Sequence, residues 1–219
     1  MKTIDFYDDR SNLREVVEWA VKTLMDRQVM VYPTDTVYGL GCDARDRRAV
    51  RSIFKIKGRD EKKPFSVVMR DLEMIKKYAM VGEKQEKIIK RLLPGKFTVI
   101  LKRKPRLLPR ALTGGSGTVG VRIPDFDLTR EISRKFKNPY VTTSVNLSGQ
   151  EPEVWGYDII EKFKESADRP DLIIDAGRLG GDGDVPVEST VVDISGEKLR
   201  IVRPGGLKPE EIFEVLEAG

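Results

Sequence analysis

The sequence predicts a single α/β domain built on a mixed sheet. Two observations carry that reading. Segments of helical and of strand periodicity alternate along most of the chain. Near the C-terminal end, strand-like segments 190–194 and 199–202 are separated only by Ser195, Gly196, Glu197 and Lys198, a hairpin signal. No linker divides the chain, so one domain is expected, with a core over 10–206 and a short tail over 207–219.

The elements follow in order. Leu13, Val16, Val17, Ala20, Val21 and Leu24 fall at helical spacing, with Asn12 as the expected N-cap and Glu15 three residues on. Residues 29–32 read as a short buried strand. A second helix follows Asp46, with Val50, Ile53 and Phe54 on one face. Residues 65–69 are strand-like, 72–78 and 83–93 helical, and 97–101 the clearest strand. A basic loop rich in Pro and Gly, 102–117, leads into a strand at 118–123. Leu128, Ile132 and Phe136 mark one helix face, and the strand 140–144 ends in polar residues. Residues 154–165 read as helix, 172–175 as strand, and 209–216 as a short closing helix.

Composition narrows the chemistry. Among 219 residues there is no histidine and one cysteine. That excludes a Ser–His–Asp or Cys–His nucleophile, an imidazole base, a His-containing zinc site and an internal disulfide. A lone thiol suits a reducing, cytoplasmic compartment. Lys plus Arg is 40 against 35 Asp plus Glu, a net +5 that suits an anionic partner and that many ordinary proteins share. The first ten residues are too charged for a signal peptide, and no apolar run reaches membrane-spanning length.

Six polar clusters stand out. Residues 33–41, PTDTVYGLG, place Thr34, Asp35 and Thr36 where a strand ends, as α/β proteins place ligands. Gly39 and Gly41 there permit close backbone approach; a plain polar turn is the alternative. Residues 55–64, KIKGRDEKKP, are half basic. Lys55 and Lys57 can simply complement a helix C-terminus, while Arg59 and Lys63, beyond Gly58, can surround a polyphosphate. On the strand 118–122, Thr118, Gly120 and Arg122 share a face opposite Val119 and Val121. Arg122 is therefore either solvent-exposed or holding an anion. Residues 142–149, 186–190 and 201–206 are three more polar strand ends or turns.

Three apparent motifs fail on context. Residues 115–120 match G-x-G-x-x-G but lead into a strand, the reverse of a dinucleotide site. Asn146-Leu147-Ser148 fits a glycosylation pattern without a secretory context. Residues 181–184, GDGD, lack the other ligands of a calcium loop. No Walker A sequence is present, so any ATP site is not a P-loop.

Taken in order, the segments PTDTVYGLG (33–41), KIKGR…KP (55–64), LPGKFTVIL (93–101), VGVRIP (119–124), TSVNLSG (143–149), STVVD (189–193) and VRPGG (202–206) resemble the YrdC-like L-threonylcarbamoyladenylate synthase family. The resemblance implies a twisted mixed sheet curved around a large basic cavity. It implies a reaction joining L-threonine, bicarbonate or carbon dioxide, and ATP into threonylcarbamoyl-AMP and pyrophosphate. The cofactor would be Mg²⁺, held mainly by the ATP phosphates. Another enzyme complex would take the threonylcarbamoyl group to adenosine beside a tRNA anticodon, with weak tRNA contact by this chain. Such chemistry needs anionic substrates held in line and no histidine.

Position by position, the resemblance assigns Lys57, Arg59, Ser144 and Asn146 to catalysis. ATP falls to Arg59, Lys63, Thr118, Ser144, Pro152 and Arg203. L-Threonine falls to Thr36, Val68, Arg122, Thr142 and Ser189, with Arg122 clamping the carboxylate. Val68 stands where some relatives carry histidine, so its contact would be apolar or through backbone. Longer family members carry a further C-terminal domain, so a short form is expected. The alternative is a non-catalytic RNA-binding module using the same cavity, favoured by the basic stretch 102–106 with Arg110. A ribulose-phosphate-type lyase would want an acidic metal cluster, and none is evident.

Overall fold

The computed structural model describes residues 1–7, 9–147, 149–180, 186–207 and 209–217. Its elements run β1 (Lys2–Asp5), α1 (Leu13–Met25), β2 (Met30–Tyr32), β3 (Gly39–Gly41), α2 (Arg47–Lys57), β4 (Ser66–Val68), α3 (Leu72–Tyr78), α4 (Glu83–Leu92), β5 (Phe97–Lys102), β6 (Thr118–Arg122), α5 (Asp127–Phe136), β7 (Tyr140–Ser144), α6 (Gly156–Lys164), β8 (Leu172–Asp175), β9 (Thr190–Asp193), β10 (Arg200–Arg203) and α7 (Pro209–Glu217). The ten strands form one twisted sheet in the order β1-β8-β2-β3-β7-β4-β6-β5-β9-β10. Pairs β1/β8, β2/β8, β4/β6 and β5/β9 are parallel and the rest antiparallel, so the sheet is mixed as expected. The hairpin expected across 195–198 is the antiparallel β9/β10 pair.

Strand alternation sorts the core onto two faces. Val31, Leu40, Val67, Val121, Val141 and Ile173 join the larger cluster with residues of α2, α3, α4, α6 and α7. Met30, Tyr32, Val68, Tyr140 and Ile174 point the other way, into a smaller cluster under α1 and α5. Asp46 caps α2, accepting from the amides of Arg48 and Ala49, and Gly58 ends it in the left-handed conformation.

Three local expectations need correction. Asn12 sits before α1 but its side chain makes no cap. Its amide donates to the Asp5 carbonyl and its oxygen accepts from Tyr7, tying the helix entry to β1. Two strands were not expected. The charged N-terminal segment forms edge strand β1, and Gly39–Gly41 forms β3 in the middle of the sheet. The glycines there make room for the chain itself. A Cβ on Gly41 would lie 2.8 Å from the Tyr32 ring, and one on Gly39 would lie 3.1 Å from it. The basic loop 102–117 is anchored, because Leu108, Leu112 and Thr113 are buried. Cys42, the one cysteine, directly follows β3 and is fully buried.

Residues 181–184 and Ser148, singled out by the calcium-loop and glycosylation patterns, lie outside the described residues. Among those described, no helix is long and apolar enough to cross a membrane.

Candidate functional site

Helices α1 and α5 cover only part of their face of the sheet. On the uncovered part the alternating positions turn polar: Ser66 on β4, Arg122 on β6, Thr142 and Ser144 on β7. Together with Thr98 of β5 and residues around β9 and β10, they line a cavity of about 420 Å³. The absence of a side chain at Gly120 keeps this floor open. A Cβ there would lie 2.6 Å from the Ser66 hydroxyl.

Arg122 is 6% exposed, so its charge needs an anion. Nη2 donates to Asp35 Oδ1 at 2.7 Å and to Thr36 Oγ1 at 3.1 Å. Of the two alternatives left by the sequence, Arg122 thus holds an anion, and the anion is Asp35. The other Asp35 oxygen accepts from the Asp125 amide at 3.0 Å. Burial still raises the Asp35 carboxyl above its ordinary range, against the pull of Arg122. The Arg122 Nε–H is buried with no acceptor among the described residues. Thr34 organises the turn below, donating to the Val37 carbonyl at 2.7 Å and accepting from the Thr36 amide at 3.1 Å.

On the opposite wall, Arg203 pairs with Glu188 and donates twice to the Ser189 carbonyl, at 3.1 and 2.9 Å. The Ser189 hydroxyl meets that of Thr98 at 2.8 Å. Arg59 comes from the loop after α2. It lies over Phe65, its guanidinium carbon 5.3 Å from the ring centroid, and donates to the Pro64 carbonyl at 3.2 Å. Its Nε–H is also buried without an acceptor among the described residues. Among the described residues Arg59 has no carboxylate within ion-pair distance, and burial holds its pKa below the usual arginine value. Among the described residues, three arginines and one glutamate therefore line the cavity, and two of the arginines already have carboxylate partners.

Of the anticipated site residues, the structure brings Arg59, Arg122, Thr142, Ser144, Ser189 and Arg203 into this one cavity. Thr36 is one hydrogen bond from it and lines an adjoining cavity of about 540 Å³, with Asp35 and Lys96. Lys57 and Asn146 lie behind the lining. The Lys57 ammonium, with the residue 1% exposed, donates to the Ser144 carbonyl, to the Asn146 carbonyl at 2.9 Å and to Asn146 Oδ1 at 2.7 Å. Burial and the neighbouring Arg59 charge push that amino group down to about 7. The same Asn146 oxygen accepts from the Ser144 hydroxyl at 2.7 Å.

Four positions stay out of the lining. Val68 is buried with Tyr32 and Tyr140 in the smaller core cluster. Lys63 is exposed beside Pro64, and Pro152 is half-buried elsewhere. Thr118 sits at the far end of β6, against the Ser116 hydroxyl. Sequence reasoning missed the roles of Asp35 and Glu188. An acid at a strand end has no periodic signature that names its partner.

A resident metal ion does not fit these groups. Among the described residues no three acidic or sulfur side chains converge, and the Asn146 oxygen is occupied by two donors.

The Sua5_yciO_yrdC family model, described as "Telomere recombination", matches residues 22–205. The threonylcarbamoyl-AMP synthase of Pyrococcus abyssi is 34% identical over 211 residues, covering 94% of this chain and 60% of the relative. The putative threonylcarbamoyl-AMP synthase of Methanocaldococcus jannaschii is 34% identical over 205 residues, covering 93% of each. The crystal structure of P. abyssi Sua5 complexed with L-threonine superposes with a TM-score of 0.87 at 30% identity, covering 99% of this chain and 61% of that one. This chain thus spans about 60% of the length of the P. abyssi relative.

Proposed function

The chain belongs to the Sua5/YciO/YrdC family, and from that premise we propose that it is a threonylcarbamoyl-AMP synthase. It would join L-threonine, bicarbonate or carbon dioxide, and ATP, releasing pyrophosphate. The observation that carries this reading is the convergence of Arg59, Arg122 and Arg203 with Thr142, Ser144 and Ser189 on one open stretch of sheet. Two of those arginines keep a buried N–H without an acceptor among the described residues. Each such donor costs about 1–3 kcal/mol, a penalty that an anionic ligand's oxygen can relieve.

The chemistry asks little of the side chains as reagents. The threonine amino group takes up the one-carbon unit as a carbamate, and the carbamate oxygen attacks the α-phosphorus of ATP. The work is to hold anions in line against their repulsion. Arg122 would receive the threonine carboxylate. Arg59 and Arg203 would face the phosphates, and the hydroxyls of Thr142, Ser144 and Ser189 would orient both substrates. Lys57 acts behind Ser144 as a positioning residue, since its three N–H groups hold the end of β7 and Asn146. Magnesium would arrive as part of the nucleotide substrate. A cytoplasmic location and hand-over of the product to a tRNA-modifying transferase follow from the same reading. The stretch 102–110, which favours the alternative of an RNA-binding module, contributes nothing to the cavity lining.

The direct test incubates purified protein with ATP, Mg²⁺, bicarbonate and L-threonine. Pyrophosphate and threonylcarbamoyl-AMP should form only when threonine and bicarbonate are both present. Folded protein that makes neither sinks the proposal.

A further inference from the structure

Helix α2 buries Ala49, Val50, Ile53 and Phe54 and leaves Arg48, Arg51, Ser52 and Lys55 exposed. Those four stand three or four residues apart, so they form one row on the helix surface. From Arg48 to Lys55 the row runs about 10 Å along the axis. With Gly58, Arg59 and Glu61 it lines a groove of about 670 Å³, outside the cavity on the open sheet. Among the described residues Arg59 alone borders both.

The charge of this groove is unbalanced. Arg48, Arg51, Lys55 and Arg59 face a single carboxylate, Glu61. Glu61 lies 3.4 Å from Arg51 with both side chains about half exposed, a weak pair. Among the described residues, Arg48 and Lys55 have no carboxylate within ion-pair distance. The capping Asp46 is already engaged, by the Arg48 and Ala49 amides and by Arg27 at 3.4 Å. Like charges three or four residues apart on a helix destabilise it, so the row costs stability unless an anion lies along it.

We propose that the groove is a second anion site, which takes a linear chain of phosphates and, through Arg59, opposes ATP in the catalytic cavity. The coupling to ATP rests on the synthase reading; the site itself does not. A lone carboxylate or phosphate can reach only part of a row of this length, whereas a chain charged along its length meets all of it. Arginine offers paired N–H donors and lysine a point charge, and both suit phosphate oxygens. Arg59 brings a buried Nε–H without an acceptor among the described residues. One guanidinium cannot serve two polyanions fully, and the two polyanions repel each other across it.

The test titrates the full chain with inorganic tripolyphosphate by calorimetry, at low ionic strength and fixed free Mg²⁺. The comparison protein carries Arg48→Glu and Lys55→Gln, two exposed positions outside the catalytic lining. An acid near the start of α2 suits the helix dipole. Wild type should bind two equivalents, one in the groove and one in the catalytic cavity, and the variant one. Tripolyphosphate should raise the apparent KM for ATP at least about fivefold more in wild type than in the variant, whose KM without it stays the same. A parallel titration with ATP names the source of the chain. A second ATP equivalent on wild type alone identifies a nucleotide, and its absence identifies the free chain. Equal tripolyphosphate stoichiometry in the two proteins overturns the site, and equal inhibition overturns the coupling. Wild-type protein that takes up no more than one equivalent overturns the site even if the variant does not fold. Two equivalents against one, with no threonylcarbamoyl-AMP formed by wild type, sinks the synthase reading and leaves the site standing.

Discussion

At the scale of single residues, the site separates groups that would touch substrate from groups that hold them. Arg122→Ala should raise KM for threonine far more than KM for ATP, by on the order of 2–4 kcal/mol, or roughly 30- to 1000-fold. Equal losses for both substrates in initial-rate kinetics would contradict its assignment. Lys57 is different in kind. Replacing it with Met takes a donor from the Ser144 and Asn146 carbonyls and leaves the Asn146 side-chain oxygen with the Ser144 hydroxyl alone, so Lys57→Met should destabilise the fold by about 2 kcal/mol at neutral pH. Its pH signature is separate. The folded-state value of about 7 lies below the unfolded value, so between those two values the unfolded chain binds more protons at this site and stability rises with pH. Below about 7 this pH-dependent gain is absent. Urea unfolding at pH 7.5 and 9.5 should therefore show wild type gaining stability relative to Lys57→Met, by about 2–3 kcal/mol. An unchanged difference would mean that the amine stays charged throughout.

At the scale of elements, the site depends on how loops are pinned to strands. Gly114 has φ +57°, and a Cβ there would lie 2.2 Å from the Lys62 carbonyl oxygen. The loop 102–117 thus packs directly on the segment carrying Arg59 and Lys63, joined also by the Phe65 amide to the Leu112 carbonyl at 2.9 Å. Gly114→Ala should cost at least about 1 kcal/mol in stability. It should also raise KM for ATP more than KM for threonine; a purely thermal effect would disconnect this contact from the site. The same elements mark the limits of sequence reading. Helices α2 and α5 and strands β5 and β6 follow directly from their periodicity, because one face is buried and the pattern records it. Strand β3 leaves no such record. Two of its three residues are glycines, whose role is to accommodate the Tyr32 ring on the neighbouring strand. Alternation placed Arg122 on the polar face, while the identity of its anion, Asp35 on a distant turn, required the tertiary arrangement.

At the scale of the whole molecule, the cavity floor draws on β4, β5, β6 and β7 of one continuous sheet, so its geometry and global folding should be lost together. The two tryptophans are well placed to show it, Trp19 on α1 and Trp155 just before α6. Thermal transitions followed by tryptophan fluorescence and by far-ultraviolet circular dichroism should coincide. Their shared midpoint should climb with ATP and threonine concentration, as binding to the native state alone requires. Separate midpoints would instead reveal two independently folding parts.

Cys42 gives that cooperativity a clock. Its thiol is fully buried, and burial together with Asp43 and Asp46 keeps it protonated far above the usual thiol range. A maleimide or iodoacetamide can therefore capture it only during moments when the sheet parts beside β3. With 1 cysteine in the chain, every alkylation event reports one location. Labelling rates in native buffer should fall as substrates are added, turning a structural thiol into a measure of how often the centre of the sheet breathes.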